Sequence, residues 1–323
     1  MKTIKLLKLL ALVFITLAIS CSEETEPIVG SQYSWTKSHL SPDNRFSLAK
    51  LEVGDDGVLY AWGVSAVTGE PGIFRYPGPN SFTDNTWANV GEPNANMVNN
   101  LLSFEIHDGS IYYHVFDKLY QVKAGQTKEI LSGEIITNIE TVQDKLVIVG
   151  EGLNVSNDHF TIVSYDGTTI EPLSKEISLN RIIQANNKVY IPGNPSHVYD
   201  GQTMNNVDFN GYFLAVDEDE SIYTNDSYND RLILSKLFVG GEEQMVGNPI
   251  EGMGPIFKSL ELFDGTVFVV GVDYHNELTK VYFLEGDKWI EIPTDHVSYD
   301  VIVFDNKLIS FSLDGKIYEL FKK

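Results

Sequence analysis

What most constrains this chain is a unit of apolar strand, polar turn and apolar strand that recurs seven times after Gly30. The pivots are Asp56-Gly57, Asp108-Gly109, Asp144-Lys145, Asn187-Lys188, Glu220-Ser221, Asp264-Gly265 and Asn306-Lys307, spaced 52, 36, 43, 33, 44 and 42 residues apart. Behind them come VLYAWGV, SIYYHV, LVIVG, VYIPG, IYTN, TVFVVGV and LISFS. β-Branched and aromatic residues fill these runs, while Gly, Asp and Asn mark the reversals. The stretch from Phe257 to Pro293 shows the whole unit: runs at 257–263, 266–272, 279–284 and 288–292 predict four antiparallel strands. A second turn recurs as Ala124-Gly125, Asp166-Gly167, Asp200-Gly201, Gly240-Gly241 and Gly286-Asp287. The first unit carries instead a Pro/Asn-rich insertion from Pro77 to Thr86, which accounts for part of its longer interval.

Four-stranded units at a period of about 40–50 residues predict an all-β, seven-bladed β-propeller, with six or eight blades as the alternative count. The last unit stops after its third strand, Lys316 to Phe321. Near the other end, Tyr33-Ser34-Trp35-Thr36-Lys37 aligns with the outer strand Asp287-Lys288-Trp289-Ile290-Glu291 but has no unit before it. The N-terminal strand should therefore complete the seventh blade, closing the ring and removing its open edge. Trp35, Trp87 and Trp289 then hold equivalent outer-strand positions, where large aromatics supply inter-blade packing. Residues 31–323 read as one large domain.

Residues 1–20 have three lysines in the first eight positions and an apolar run from Leu9 to Ile19, the pattern of a signal peptide. That run is too short for a membrane span. Ala18-Ile19-Ser20-Cys21 resembles a bacterial lipobox, with Ala18 where Leu is commonest; the resemblance implies lipidation of Cys21. Several acyl chains, at about 0.8 kcal/mol per buried methylene, give stable anchoring. Residues 21–30 would be a short acidic tether. Its Ser22-Glu23-Glu24-Thr25-Glu26 resembles the signal that sends Bacteroidota lipoproteins to the outside of the outer membrane. Cys21 is the one cysteine, so no disulfide can form within the chain. The net charge of −22 becomes −25 once Lys2, Lys5 and Lys8 leave with the leader, a field that opposes nucleic acid. The segment Leu214 to Leu237 resembles an NHL repeat, and VYFLEGDKWIEIP resembles the end of a kelch blade, each likeness covering one blade.

In a propeller the turns after first and third strands share one face, and the longer loops share the other, where binding is usually placed. The residues opening each innermost strand should line the mouth of the central channel: Arg45, Asn100, Asn138, Arg181, Asn210, Lys258 and Asp300. Three cations among them could recognise a carboxylate, sulfate or sugar. His159, His197 and His275 fall in loops of that face and His39 and His296 in blade joins, without ligand-type spacing, so neither metal nor other cofactor is expected. Asp217-x-Asp219-x-Ser221 lacks the glycine and distal Glu of a calcium loop and reads as a solvated hairpin. Phosphate loops, nucleophile elbows and zinc-protease motifs are absent from the sequence. The expectation is a surface lipoprotein that binds a glycan or an envelope protein without catalysis. The alternatives are a polysaccharide hydrolase or lyase using acids such as Asp273, Glu277 and Asp300, or a structural subunit of an envelope complex.

Overall fold

The structure is a computed structural model. It describes residues 31–42, 46–66, 68–78, 87–91, 101–176, 182–193, 195–207, 213–228, 231–238, 241–251, 253–273, 278–294, 300–312 and 314–323. Residues 33–323 form one compact unit, and in it every regular element among the described residues is a strand.

The first strand, β1 (Tyr33–Lys37), belongs to the last blade. Blade one holds β2 (Phe46–Val53), β3 (Leu59–Ser65), β4 (Pro71–Arg75) and β5 (Ala88–Gly91). Blade two holds β6 (Leu101–His107), β7 (Ser110–Val115), β8 (Lys118–Lys123) and β9 (Gln126–Ser132). Blade three holds β10 (Ile135–Val142), β11 (Lys145–Val155), β12 (Asp158–Tyr165) and β13 (Ile170–Ser174). Blade four holds β14 (Ile183–Ala185), β15 (Lys188–Ile191), β16 (Ser196–Tyr199) and β17 (Met204–Val207). Blade five holds β18 (Phe213–Val216), β19 (Ile222–Tyr228), β20 (Arg231–Leu237) and β21 (Glu243–Glu251). Blade six holds β22 (Met253–Phe263), β23 (Thr266–Asp273), β24 (Leu278–Glu285) and β25 (Lys288–Ile292). Blade seven holds β26 (Asp300–Phe304), β27 (Lys307–Phe311) and β28 (Ile317–Lys322), with β1 as its fourth strand. The seven antiparallel sheets form a ring, a seven-bladed β-propeller.

Turn chemistry sets the inner hairpins. Two-residue turns place Asp108-Gly109 at φ 47° and 63°, and Asp264-Gly265 at 50° and 69°, left-handed values that match the twist of the strands. In three blades the turn lies one residue earlier than the sequence reading placed it. Lys145, Lys188 and Lys307 already pair with Val142, Ala185 and Phe304 as the first residues of the next strand. Asn186-Asn187 and Asp305-Asn306 take the left-handed conformation, which short polar side chains tolerate and Lys does not favour. In blade five Asp217 caps a longer turn, its Oδ1 accepting from the amides of Asp219 (3.0 Å) and Ser221 (2.9 Å). Residues 151–159 continue β11 and β12 to a tight turn at Ser156-Asn157, past an irregularity in register after Val149, so His159, like His197 in β16, lies in a strand and not in a loop as expected.

The two ends pair as expected: Tyr33 to Lys37 run antiparallel to Lys322 to Tyr318. The Tyr33 ring meets Phe268 and Phe283 of blade six edge-on, at 5.5 and 4.7 Å. Beyond β1, the Ser38 amide donates to the Ile317 carbonyl at 2.8 Å. Ser41 Oγ donates to that carbonyl and accepts from the Ile317 amide, both at 2.9 Å. Buried Glu319 accepts from Ser38 Oγ and, at 3.0 Å, from Lys307 Nζ. Burial alone would raise its pKa, but these bonds outweigh it and hold the carboxyl below its ordinary range. Leu40 packs into the core shared by blades one and seven, and its carbonyl accepts from Trp87 Nε1 at 3.1 Å.

Between blades, successive residues of one strand serve opposite neighbours. Tyr112 packs toward blade three and Tyr113 toward blade one. Trp289 lies opposite Leu284, Trp35 opposite the equivalent Leu320, and Trp87 beside the equivalent Tyr76. These are the three equivalent tryptophans expected from the repeat. Each plugs the gap to the preceding blade. Gly247 of blade five makes room for one of them: at φ 69°, a Cβ there would sit 2.7 Å from Trp289 Nε1.

Tyr33→Ala is expected to cost about 3 kcal/mol, a fall in Tm of roughly 6–10 °C. Phe321→Ala, on the same closing pair but half-exposed, should change it little. Because the folded pKa of Glu319 is depressed, its contribution is present above the ordinary carboxylate pKa and lost as pH falls through the folded value. Glu319→Gln should therefore lose stability at pH 7 and show a weaker acid decline in thermal melts.

Candidate functional site

The central channel is built from the innermost strands, and register shows how its wall is composed. Glu52, Glu105, Glu140 and Glu261 lie opposite Tyr60, Tyr112, Val147 and Phe268, equivalent rungs of four blades. The other three blades place Ile183, Ala215 and Ile302 at this level. Two rungs nearer the strand openings come Lys50, Asn138, Ser259 and Asp300, opposite Trp62, Val149, Val270 and Phe311. A cavity of about 400 Å³ runs along this wall, touching Lys50, Glu52, Glu140, Glu261 and Asp300.

Lys50 organises the charge. Its Nζ lies 2.7 Å from Glu52 and 5.2 Å from the centre of the Phe104 ring. Burial opposes its charge, yet Glu52 and Glu105 more than offset that, and its pKa is raised. Glu105, 6% exposed, has the reverse fate: burial first, then Glu140 and Glu52, push its pKa well above the usual carboxylate range against the pull of Lys50. One ammonium among several carboxylates leaves negative charge uncompensated, so buried Glu105 holds its proton more tightly than a free carboxyl does. Fully buried His114 lies on β7, with neither ring nitrogen hydrogen-bonded. Burial, and then Lys50, lower its pKa to about 4.

Of the residues read as channel-mouth candidates, Asn138 and Asp300 stand at equivalent rungs, and Asp300 touches the cavity. Lys258 lies in β22 at an irregularity of register between Phe257 and Ser259. Arg45, Asn100, Arg181 and Asn210 lie outside the described residues, as do Cys21, His275, Glu277 and His296. The described wall is therefore carboxylate-rich around a lysine that the sequence reading passed over. The available signal was a Glu two residues before the last rung of the hairpin, as at Glu105, Glu140 and Glu261.

The described histidines are dispersed. His197 Nδ1 is 3.0 Å from Asn206 Oδ1 and its Nε2 is 3.0 Å from Glu176. His159 Nδ1 is 3.3 Å from the Gly152 carbonyl, and His39 is 3.4 Å from Glu319. Among the described residues, no cluster of His, Cys, Asp and Glu could hold a metal ion.

The two perturbed groups should act on stability in different pH windows. Glu105 binds its proton more tightly folded than unfolded, so stability falls as pH rises above the ordinary carboxylate pKa. Glu105→Gln should melt higher than the parent at pH 8 and no higher at pH 4. His114 binds its proton less tightly folded, so stability falls as pH drops from about 6.5 toward 4. Melts of His114→Leu should flatten across that interval.

No family model matches the chain, and no curated protein does. Solved structures do. The AfRom2 CNH domain matches with a TM-score of 0.52 at 11% identity, over 89% of this chain and 98% of that one. The N-terminal domain of Nup159 and the Neurospora crassa Pan2 WD40 domain each match with a TM-score of 0.50 at 10% identity, over 91% of this chain and 97% of theirs. At such identities the likeness shows a shared architecture, the β-propeller.

Proposed function

We propose that this chain is a lipid-anchored, non-catalytic binding protein of a bacterial outer surface, whose propeller recognises a partner protein or a glycan through its loop face. The observation that carries this reading is the direction of β1. Tyr33 lies opposite Lys322, at the end of blade seven where third strands finish. The chain thus enters the ring, at Tyr33, on the face of the turns after first and third strands, and the connections between second and third strands and between blades lie on the other face. A lipid on Cys21 would hold the turn face toward the membrane and leave the loop face free. A rigid ring carrying loops of unlike sequence is a scaffold suited to interaction.

The channel chemistry also favours binding over hydrolysis. Glu105, whose carboxyl pKa burial raises well above the usual range, is not among the residues that line the cavity. The lining carboxylate Glu52 is engaged with Lys50.

Three measurements test the proposal. Mass spectrometry of the mature protein should find acyl chains on Cys21, and Cys21→Ser should release a soluble chain. That soluble chain should bind on a glycan array or retain an envelope protein, without turnover. A mature protein free of lipid overturns the anchor; release of reducing ends from a polysaccharide replaces binding with hydrolysis or lyase chemistry.

A further inference from the structure

Six of the seven inter-blade gaps can be compared with the remaining one through a single position, the rung held by Trp289 opposite Leu284. Blades seven and one fill it with Trp35 and Trp87. Blades three and four supply Ile170 and Met204, opposite Tyr165 and Tyr199, each packed against the core shared with the blade before. Blade two has Thr127, but there Tyr60, Trp62 and Ile73 meet Ile106, Ile111 and Val122 in a broad buried contact. Blade five places Glu243 at this rung, opposite Leu237, with its side chain exposed.

The consequence is a defect between blades four and five. Among the described residues, Tyr190 and Ile222 alone are buried in the core these blades share. Farther out a cleft of about 490 Å³ opens, lined by Tyr190, Val198, Val207, Ile222, Leu237 and Phe238. Met245 lies two residues beyond Glu243 on the same face of β21, and it is 51% exposed. An apolar slot of this kind is incomplete as a core and suited to a side chain arriving from elsewhere. The rim is acidic. Lys188 is tied to Glu220 at 2.5 Å, while Asp200 adds negative charge to the lining and exposed Glu243 stands opposite the lining residue Leu237.

We infer that the cleft between blades four and five is a binding site for a protein segment that inserts an aromatic side chain and carries Lys or Arg beside it. The guest ring takes the place that Trp289 fills within the chain, and Glu243 meets the neighbouring cation. This site is separate from the loop face and independent of lipidation.

The test uses the full mature chain with Cys21→Ser and two capped tripeptides, acetyl-Lys-Trp-Lys-amide and acetyl-Glu-Trp-Glu-amide, followed by titration calorimetry. The basic peptide should bind, and the acidic one at least about tenfold more weakly. Glu243→Trp should plug the slot from within, raising Tm by a few degrees and weakening the basic peptide at least about tenfold. Met245→Ser, at an exposed position that keeps the fold, should weaken it about threefold. Equal binding of the two peptides, undiminished binding to Glu243→Trp, or binding of maltohexaose in place of the peptide at this cleft would each overturn the inference.

Discussion

The whole architecture depends on one antiparallel pairing, that of Tyr33–Lys37 with Tyr318–Lys322. Each blade exposes apolar side chains on both faces and has no core of its own, so it is stable only between two neighbours. An open array would leave blades seven and one each half-solvated and would present unpaired strand edges. The pairing supplies the missing fourth strand, and Tyr33 reaches past its own blade into the aromatic contact at Phe268 and Phe283. Ser38, Ser41 and Glu319 then satisfy the polar groups that closure buries.

Most of this scaffold was legible in the sequence because the signals are local and repeated. Strand runs bounded by Asp-Gly or Asn-rich turns carry their own register, since a two-residue turn fixes which residues face each other. Alignment of Tyr33–Lys37 with Asp287–Glu291 revealed the closing strand, since the same position bears Trp35 and Trp289. The errors were equally local. Lys145, Lys188 and Lys307 were read into turns because polarity alone does not separate a turn residue from the first residue of a strand. The extension of β11 and β12 was missed because Gly152, Asn154 and Asn157 look like loop residues, whereas they accommodate an irregular register and a tight turn.

The channel was harder to read. A side chain's place on the wall depends on how seven strands tilt about one axis, a relation among residues hundreds of positions apart. The openings of the strands were a reasonable guess, and Asn138 and Asp300 do share a level with Lys50. The deeper glutamates escaped notice because a Glu inside an apolar strand resembles an ordinary solvent-facing residue until its partners are known. What makes Glu105 unusual, burial among like charges with one ammonium nearby, exists only once blades one, two and three are assembled.

Tyr33 and Lys322 occupy one rung, so the first and last strands of the ring meet side by side. Topologically the propeller is close to a circle with a single nick. A short covalent bridge between those two positions, with fresh termini cut at an inter-blade join, would preserve every strand neighbour while moving the seam out of blade seven. The seam is then movable in principle to any inter-blade join whose neighbours stay paired.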